Sequence, residues 1–417
     1  MKPEIQAAAE TSASLQIGPL NTLIQPEKTR IEVPITLNDE TISIYYETPS
    51  IPLNVGGDSA VALSLLPALR LGADLMISDP VSGRLLSAIP EIKAIYRHWY
   101  PGHQDATLRT SARAKASSGS AKGVACFFSG GVDSFYTLIK HLDEIDTLIF
   151  VHGFDIYLEK QDLRAEVSRN LNKIARALGK NLIEVETNLR LFSDRFSDWR
   201  HYHGAALASV GVLFSHQLSR IYVPSTYSYR WLVPLGSHPF LDSLWSTEAI
   251  EFVHDGIGAS RDDKVALLST VPVALETLRV CWENRNGAYN CGECEKCLRT
   301  MVSLRIAGAL ESCLSFDRPL DLQTLSTLRL RNQEALKFLR ESLDQAEASG
   351  RDPELREAIV ACLRLNTEEG APTPKSSQPL TSGPEQPSEP KVEQAAPSIL
   401  RRGARRMRRI LRRALGL

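Results

Sequence analysis

The chain has 417 residues, 43% of them hydrophobic, so it is long enough for two or three domains with a large buried core. It contains no 18-residue apolar run and no signal-peptide pattern, which argues against a membrane-spanning or secreted protein and predicts a reducing, cytoplasmic location for its seven cysteines. The net charge of −1 hides an asymmetry, because eight arginines in residues 399–417 leave −9 on the rest of the chain.

Residues 1–120 are predicted to form an N-terminal α+β domain. The segments RIEVPITL and TISIYYET alternate in polarity like two paired strands. SAVALSLLPALRLG has helical periodicity and is closed by Gly72, and SGRLLSAIPEIKAIYRHWYP predicts a second helix that ends near Pro101. Because no catalytic constellation occurs here, we expect a packing or substrate-covering role.

Residues 121–310 alternate short apolar runs with helical segments. The runs GVACFF, TLIFVHG, LIEVET and RIYVPST are rich in β-branched residues and are predicted to be strands. This alternation predicts an α/β fold with a doubly wound parallel sheet and helices on both faces. In such sheets ligands bind at the carboxyl ends of the strands.

The stretch FFSGGVDSFYT joins the first of these strands to a helix. Gly130 and Gly131 would let the backbone approach an anion closely, and the N–H groups of the helix start would hold phosphate oxygens. Ser129 and Ser134 would add hydroxyl donors. Asp133 would repel phosphates unless a cation lay between them, so it predicts bound Mg²⁺. A glycine-rich turn that binds nothing is the alternative.

SGGVDS lacks the lysine of an ordinary P-loop and resembles the signature of the PP-loop ATP pyrophosphatase superfamily. The resemblance extends over residues 123–300. It implies that the loop grips the pyrophosphate of ATP while a substrate oxygen attacks the α-phosphorus, and that a nitrogen or sulfur nucleophile then displaces AMP. Asp133 and Ser134 become catalytic candidates. Gly153 and Asp155, at the end of the second strand, would border the adenosine, unless they form an ordinary turn.

Four cysteines follow the predicted sheet in the pattern C-x₉-C-x₂-C-x₂-C. Four converging thiolates leave Zn²⁺ no open position, so the sequence predicts a structural zinc site. An iron–sulfur cluster is the alternative. The four residues are Cys281, Cys291, Cys294 and Cys297.

The glycine loop together with this cysteine knuckle most closely resembles the 7-cyano-7-deazaguanine synthases. Those enzymes convert a deazaguanine carboxylate to a nitrile with ATP and ammonia. The long segment that precedes the loop and the extension that follows the cysteines depart from the synthase pattern. We therefore expect a synthase-like relative that acts on a different substrate.

Residues 222–264 are rich in Ser, Thr, Tyr, Trp and His and poor in helix formers. We expect them to line the cleft over the strand ends, and a long solvated loop is the alternative. Arg261 would suit a carboxylate or a phosphate and is the third catalytic candidate. The other candidates for holding or activating a substrate are Ser237, His238, Asp242, His254 and Asp255.

The C-terminal part divides into three predicted segments. Residues 311–365 form a helical extension, and residues 366–398 form a disordered proline-rich linker. Residues 399–417 form a basic amphipathic helix that would bind an anionic membrane surface or RNA. A solvated terminus without a partner is the alternative for that tail.

Three classes of function follow. The first is an ATP-dependent ligase or amidotransferase that adenylates a small-molecule carboxylate or carbonyl oxygen for attack by nitrogen, supplied by free ammonia or a partner glutaminase. The second is a tRNA-thiolating enzyme, which the basic tail favours but the position of Cys126 within a strand disfavours. The third is a non-catalytic nucleotide-binding module. The expected cofactors are ATP, Mg²⁺ and Zn²⁺.

Overall fold

The computed structural model describes residues 14–114, 123–330 and 333–368. The arginine-rich helix predicted for residues 399–417 lies outside the described residues, as does the predicted linker from residue 369 onward. Their expected partners, an anionic membrane surface or RNA, stay predictions.

Among the described residues, eleven strands form one sheet. In chain order they are β1 (Ser14–Ile17), β2 (Asn21–Ile24), β3 (Lys28–Leu37), β4 (Glu40–Pro49), β5 (Asp74–Ile77), β6 (Leu108–Thr110), β7 (Gly123–Phe127), β8 (Thr147–His152), β9 (Asn181–Thr187), β10 (Leu218–Pro224) and β11 (Glu251–Asp255). Across the sheet the order is β11-β10-β7-β8-β9-β4-β3-β1-β5-β6, and β2 also pairs with β3.

The sheet is mixed and mostly parallel. Strands β10, β7, β8 and β9 are parallel neighbours, as the alternation of strands and helices predicted. Strand β11, which pairs parallel with β10, was not predicted, because its residues fall in the segment expected to line the cleft. Strand β4 then pairs antiparallel with β9, where Tyr46 faces Thr187, and carries β3 and β1 with it. The α/β class is therefore confirmed, but the sheet is not purely parallel, because the strands of residues 1–120 join it. The predicted boundary at residue 120 stays a prediction.

Twelve α-helices occur in the described part of the chain. They are α1 (Gly57–Leu71), α2 (Gly83–Trp99), α3 (Val132–Lys140), α4 (Gln161–Leu178), α5 (Arg190–Ser193), α6 (Trp199–Gly211), α7 (Arg261–Leu268), α8 (Pro272–Thr277), α9 (Glu295–Ile306), α10 (Leu322–Ser326), α11 (Gln333–Ser349) and α12 (Pro353–Glu368). None of the described helices is long and apolar enough to cross a membrane.

Two hydrophobic cores lie on opposite faces of the parallel strands. Ala125 and Phe127 of β7 enter the core shared with α1 and α6, whereas Cys126 enters the core shared with α3 and α4. This follows from the two-residue period of a strand, whose successive side chains point to opposite faces. Burial on both faces explains why β7 and β8 are continuous apolar runs. The carboxyl ends of these strands lie at one edge, where the candidate site is built.

The C-terminal helices form a third core with α9. Leu298 and Val302 of α9 pack with Leu339 of α11 and Ile359 of α12. Helix α11 also reaches the segment after β10, because Phe338 stacks on Tyr227 with ring centroids 5.5 Å apart. The predicted helical extension is therefore attached directly to the segment that borders the strand ends.

Candidate functional site

The glycine loop connects β7 to α3. Gly130 has φ = +73°, a conformation that a residue with a side chain rarely adopts. Gly131 caps the helix, and no side chain accepts a hydrogen bond from the first turn. The Ser134 hydroxyl donates to the Gly131 carbonyl at 3.0 Å, and Ser129 Oγ lies 3.5 Å from Ser134 Oγ. Ser129, Gly130, Gly131 and Ser134 are thus gathered at an uncapped helix start, a geometry that suits an anion.

Asp133 forms an ion pair that sequence reasoning missed. Its Oδ1 accepts a hydrogen bond from Lys264 Nζ of α7 at 2.9 Å. The Lys264 side chain is only 1% exposed, and its ammonium group also donates to the Ser225 carbonyl at 2.5 Å. Part of the counter-charge assigned to Mg²⁺ on sequence grounds is therefore supplied by a lysine. Local sequence gives no signal for this pair, because its members lie 131 residues apart.

Two buried arginines near the loop have unused donors. The Arg279 backbone N–H donates to the Gly130 carbonyl at 2.8 Å, while Nε and Nη2 of its side chain find no partner among the described residues. Arg261 donates from Nη2 to Thr300 Oγ1 at 2.8 Å, and its Nε is likewise unpaired within the described chain. Burial and the neighbouring Arg299 lower the pKa of Arg261 to about 10. Buried charged donors without partners are costly, so an anion in their reach would be stabilised.

Gly153 and Asp155 follow β8 and have different surroundings. Gly153 has φ = +93°, and a Cβ placed on it would lie 2.0 Å from the Thr187 carbonyl oxygen, so the close approach of β9 requires a glycine here. Asp155 is exposed and lines a pocket of about 520 Å³. Tyr157 and Trp282, each about half exposed, line the same pocket. Trp282 was not singled out from the sequence, although it directly follows Cys281.

Asp242 is the centre of a buried polar cluster. Its Oδ2 accepts hydrogen bonds from Ser237 Oγ and from His254 Nδ1, each at 2.7 Å, and its Oδ1 accepts from the His238 backbone N–H at 3.3 Å. Because Asp242 fixes Nδ1 as the donor, a neutral His254 presents an unprotonated Nε2, which has no partner in the described chain. The structure therefore brings together Ser237, Asp242 and His254.

The His238 ring lies to one side of this cluster. It packs edge-on against Trp99 with centroids 4.8 Å apart, and its Nδ1 accepts from the Phe240 N–H at 3.2 Å. Burial, together with the nearby His254, lowers the pKa of His238, so its neutral form is favoured. Its backbone supports Asp242, while its side chain contributes to packing.

Asp255 takes part in a separate ion cluster. Its carboxylate accepts hydrogen bonds from Thr137 at 3.0 Å, Lys140 at 2.5 Å and His141 at 3.0 Å. Burial alone would raise the pKa of Asp255, but the hydrogen bonds and charges of His141 and Lys140 prevail and lower it to about 2. Because all these partners lie on or next to α3, Asp255 fastens that helix to β11, and its role in holding a substrate stays a prediction.

The four cysteines converge on one point. Their sulfur atoms all lie within 4.8 Å of one another and are buried, with Cys281 Sγ 3.8 Å from Cys294 Sγ and Cys291 Sγ 4.0 Å from Cys297 Sγ. A zinc tetrahedron with Zn–S bonds of about 2.3 Å has S–S edges of roughly 3.8 Å, so the spacing fits. Hydrogen bonds from the Cys294 and Cys297 thiols lower the pKa of Cys281, which favours its thiolate. This cluster could hold a metal ion such as zinc.

Comparison with known proteins does not assign the chain. No protein-family model, no curated protein and no solved structure matches it. An inference about function must therefore start from the chemistry of the site.

Proposed function

We propose that the chain is an ATP pyrophosphatase of the PP-loop type that forms C–N bonds through an adenylated intermediate. The observation that carries this proposal is the uncapped start of α3, where Asp133 is paired with the buried Lys264 and Arg279 keeps unused donors. A helix start with free N–H groups and nearby cations is suited to a polyphosphate. An ordinary turn would gain nothing from a buried ammonium group and unpaired guanidinium donors.

ATP would extend from this loop to the pocket beside Asp155. The pyrophosphate portion would lie on the N–H groups that follow Gly131 at the start of α3 and on the Arg279 side chain. The base would enter the pocket lined by Trp282 and Tyr157, whose rings offer stacking surfaces. The Asp155 carboxylate would accept hydrogen bonds from the ribose or from the amino group of the base.

The reaction would proceed in two steps. A carboxylate or carbonyl oxygen of the substrate forms a bond to the α-phosphorus, the bond to the β-phosphate oxygen breaks, and pyrophosphate leaves. A nitrogen nucleophile then forms a C–N bond, loses a proton and displaces AMP. Lys264 would neutralise charge that develops on the phosphates, and the Ser134 hydroxyl would donate to a phosphate oxygen.

Mg²⁺ belongs to the same proposal. It usually binds one or two protein carboxylates together with phosphate oxygens, and Asp133 offers one such carboxylate beside Lys264. When bound with ATP, Mg²⁺ would withdraw charge from the leaving pyrophosphate.

The substrate would lie toward the ends of β10 and β11. Arg261 is suited to an anionic group of the substrate, and the cluster around Asp242 offers the Nε2 of His254 as a hydrogen-bond acceptor. The nitrogen would come from free ammonia or from a glutaminase partner. A thiolation reaction is less well supported, because Cys126 is fully buried in β7, which raises its pKa well above the usual range and disfavours a reactive thiolate.

The test is an ATP cleavage assay with a cellular metabolite extract. The wild-type chain should release AMP and pyrophosphate in a Mg²⁺-dependent reaction, and Asp133→Asn, which retains the size of the side chain, should lose this activity. Release of ADP and phosphate would overturn the proposal. Tight ATP binding without cleavage under any condition would identify a nucleotide-binding module instead.

A further inference from the structure

The segment 278–290 touches the glycine loop at its beginning. The Arg279 N–H donates to the Gly130 carbonyl at 2.8 Å, and a Cβ placed on Gly131 would lie 3.3 Å from the Arg279 carbonyl oxygen. The backbone of Arg279 therefore lies directly against the loop. A shift of this segment would move the loop or break the hydrogen bond.

The same segment supplies one wall of the pocket beside Asp155. Trp282, Glu283, Asn284 and Gly287 all line that pocket. The Asn284 N–H donates to Cys281 Sγ at 3.2 Å, so the turn that forms this wall is built on a cysteine sulfur. Cys281 is thus both a member of the four-cysteine cluster and an anchor of the pocket wall.

Asn290 fastens the segment at its base. Its Oδ1 accepts hydrogen bonds from the N–H groups of Val280 and Cys281 at 2.9 and 3.1 Å, and its Nδ2 donates to the carbonyls of Leu278 and Ser315 at 2.8 and 2.9 Å. These bonds hold the backbone on both sides of Arg279, but they do not reach Trp282. Beyond Cys281, the turn is held by that sulfur and by the Asn284 side chain, whose Nδ2 donates to the carbonyls of Ala288 and Tyr289 at 3.0 and 3.4 Å.

We propose that metal occupancy of the four-cysteine centre sets the affinity of the nucleotide site, acting through Cys281 on the pocket wall that carries Trp282. This inference rests on the proposed function, because it assumes that ATP binds between the glycine loop and the pocket. Cys281 comes from this segment, whereas the other three cysteines lie at or near the start of α9. A metal ion would bond the two parts together, and a fixed wall binds a ligand more tightly than a wall that must be ordered on binding.

The experiment compares full-length protein loaded with zinc, stripped with a chelator, and reloaded with zinc. Calorimetry with ATP and Mg²⁺ should give an affinity about ten-fold lower for the stripped protein, with recovery on reloading. Trp282→Ala should lower the affinity of the zinc-loaded protein to a similar extent, because loss of a stacked base typically weakens binding by about ten-fold or more. Its zinc content should not change.

Two controls separate this coupling from general loss of stability. Ile359→Ala destabilises the C-terminal helices, where Ile359 is fully buried, and should leave ATP affinity unchanged. Leu191→Ala removes another exposed hydrophobic side chain, which does not line the pocket beside Asp155, and should also have no effect. Removal of zinc should lower the ATP affinity of the Trp282→Ala variant by a smaller factor than that of the wild type, because both changes act on the same pocket wall.

Equal ATP affinity of the stripped and loaded proteins would overturn the coupling and leave the proposed function intact. Equal ATP affinity of Trp282→Ala and the wild type would overturn the role of the wall. A zinc-loaded protein that binds no ATP would overturn the proposed function, and the coupling with it.

Discussion

The four-cysteine centre and the glycine loop lie at the two ends of one short segment, yet they differ in how complete they are. The cysteine centre has four converging sulfur ligands, all buried and spaced for a tetrahedron. At the loop the helix start has no side-chain cap, and Arg279 has unused buried donors. The first site is closed by the protein itself, whereas the second keeps donors that an anion could satisfy. Closed sites stabilise, and open sites bind.

The largest expected effect comes from removing one of the four cysteines of the buried centre. Cys294→Ser should abolish metal binding and lower the free energy of unfolding by several kcal/mol, because structural zinc contributes about 10 kcal/mol even in small peptides. Metal analysis and thermal unfolding measure the two losses. The zinc-loaded protein should be colourless. Iron content together with visible absorption would instead show that the four cysteines hold an iron–sulfur cluster.

Cys313→Ser is the matched control for this prediction. Cys313 is also buried, and its sulfur lies 3.3 Å from Ser315 Oγ and outside the four-cysteine cluster. The substitution should leave the zinc content at one ion per chain. A Cys294→Ser variant that stayed fully stable would contradict the view that the centre is structural.

The second effect tests the ion pair of the open site. Asp133→Ala leaves the buried Lys264 ammonium with the Ser225 carbonyl and the Tyr136 ring, whose centroid is 5.9 Å away. Lys264→Met leaves the Asp133 carboxylate 25% exposed to water. An unpaired buried charge costs about 3 to 5 kcal/mol. We therefore expect Asp133→Ala to destabilise the fold more than Lys264→Met does, as measured by denaturant unfolding.

The double variant completes the cycle. Asp133→Ala combined with Lys264→Met removes both charges and should be more stable than Asp133→Ala alone, although it should not cleave ATP. If the two single variants were equally stable, the buried Lys264 ammonium group would not need the Asp133 carboxylate as its counter-ion.

The same contrast explains what the sequence could predict. The cysteine spacing and the SGGVDS loop are local patterns, and the strand before Gly130 and the helix after it are confirmed. The alternating runs predicted the parallel strands and the paired strands β3 and β4. Local patterns succeed where a short stretch carries both the geometry and the chemistry.

The remaining features depend on contacts between distant residues. Lys264 meets Asp133 only because α7 packs on α3, and Asp255 turns toward α3 because of its position in β11. At Tyr46, strand β4 pairs with β9 and so joins the N-terminal strands to the parallel strands. No local sequence pattern encodes this pairing. Side chains that complete a site from another element become visible only once the fold is known.

A third prediction concerns pH and a carboxyl group that belongs to neither site. Burial raises the pKa of Asp58 to about 6, reinforced by the nearby Glu248, although the Ser82 N–H donates to it at 2.7 Å. Because the folded-state pKa lies above the unfolded one, the contribution of Asp58 to the free energy of unfolding should fall as pH rises from about 4 to 6. Asp58→Asn should remove that contribution to the pH dependence and stabilise the protein at pH 7 by about 3 kcal/mol. If the free energy of unfolding of the variant had the same pH dependence as that of the wild type, groups other than Asp58 would be responsible for it.

The smallest expected effect tests whether the Asp242 cluster is complete within the protein or is completed by a ligand. Ser237→Ala removes one of three donors to Asp242, and His254 and the His238 N–H remain. If the hydroxyl only supports the carboxylate, the free energy of unfolding should fall by about 1 kcal/mol, the usual value for one hydrogen bond, with KM and kcat for pyrophosphate release unchanged. Unfolding curves and a KM measurement on the same preparations test this. A higher KM at unchanged stability would instead mean that Ser237 contacts the substrate, and the cluster would then belong with the glycine loop as a site that its ligand completes.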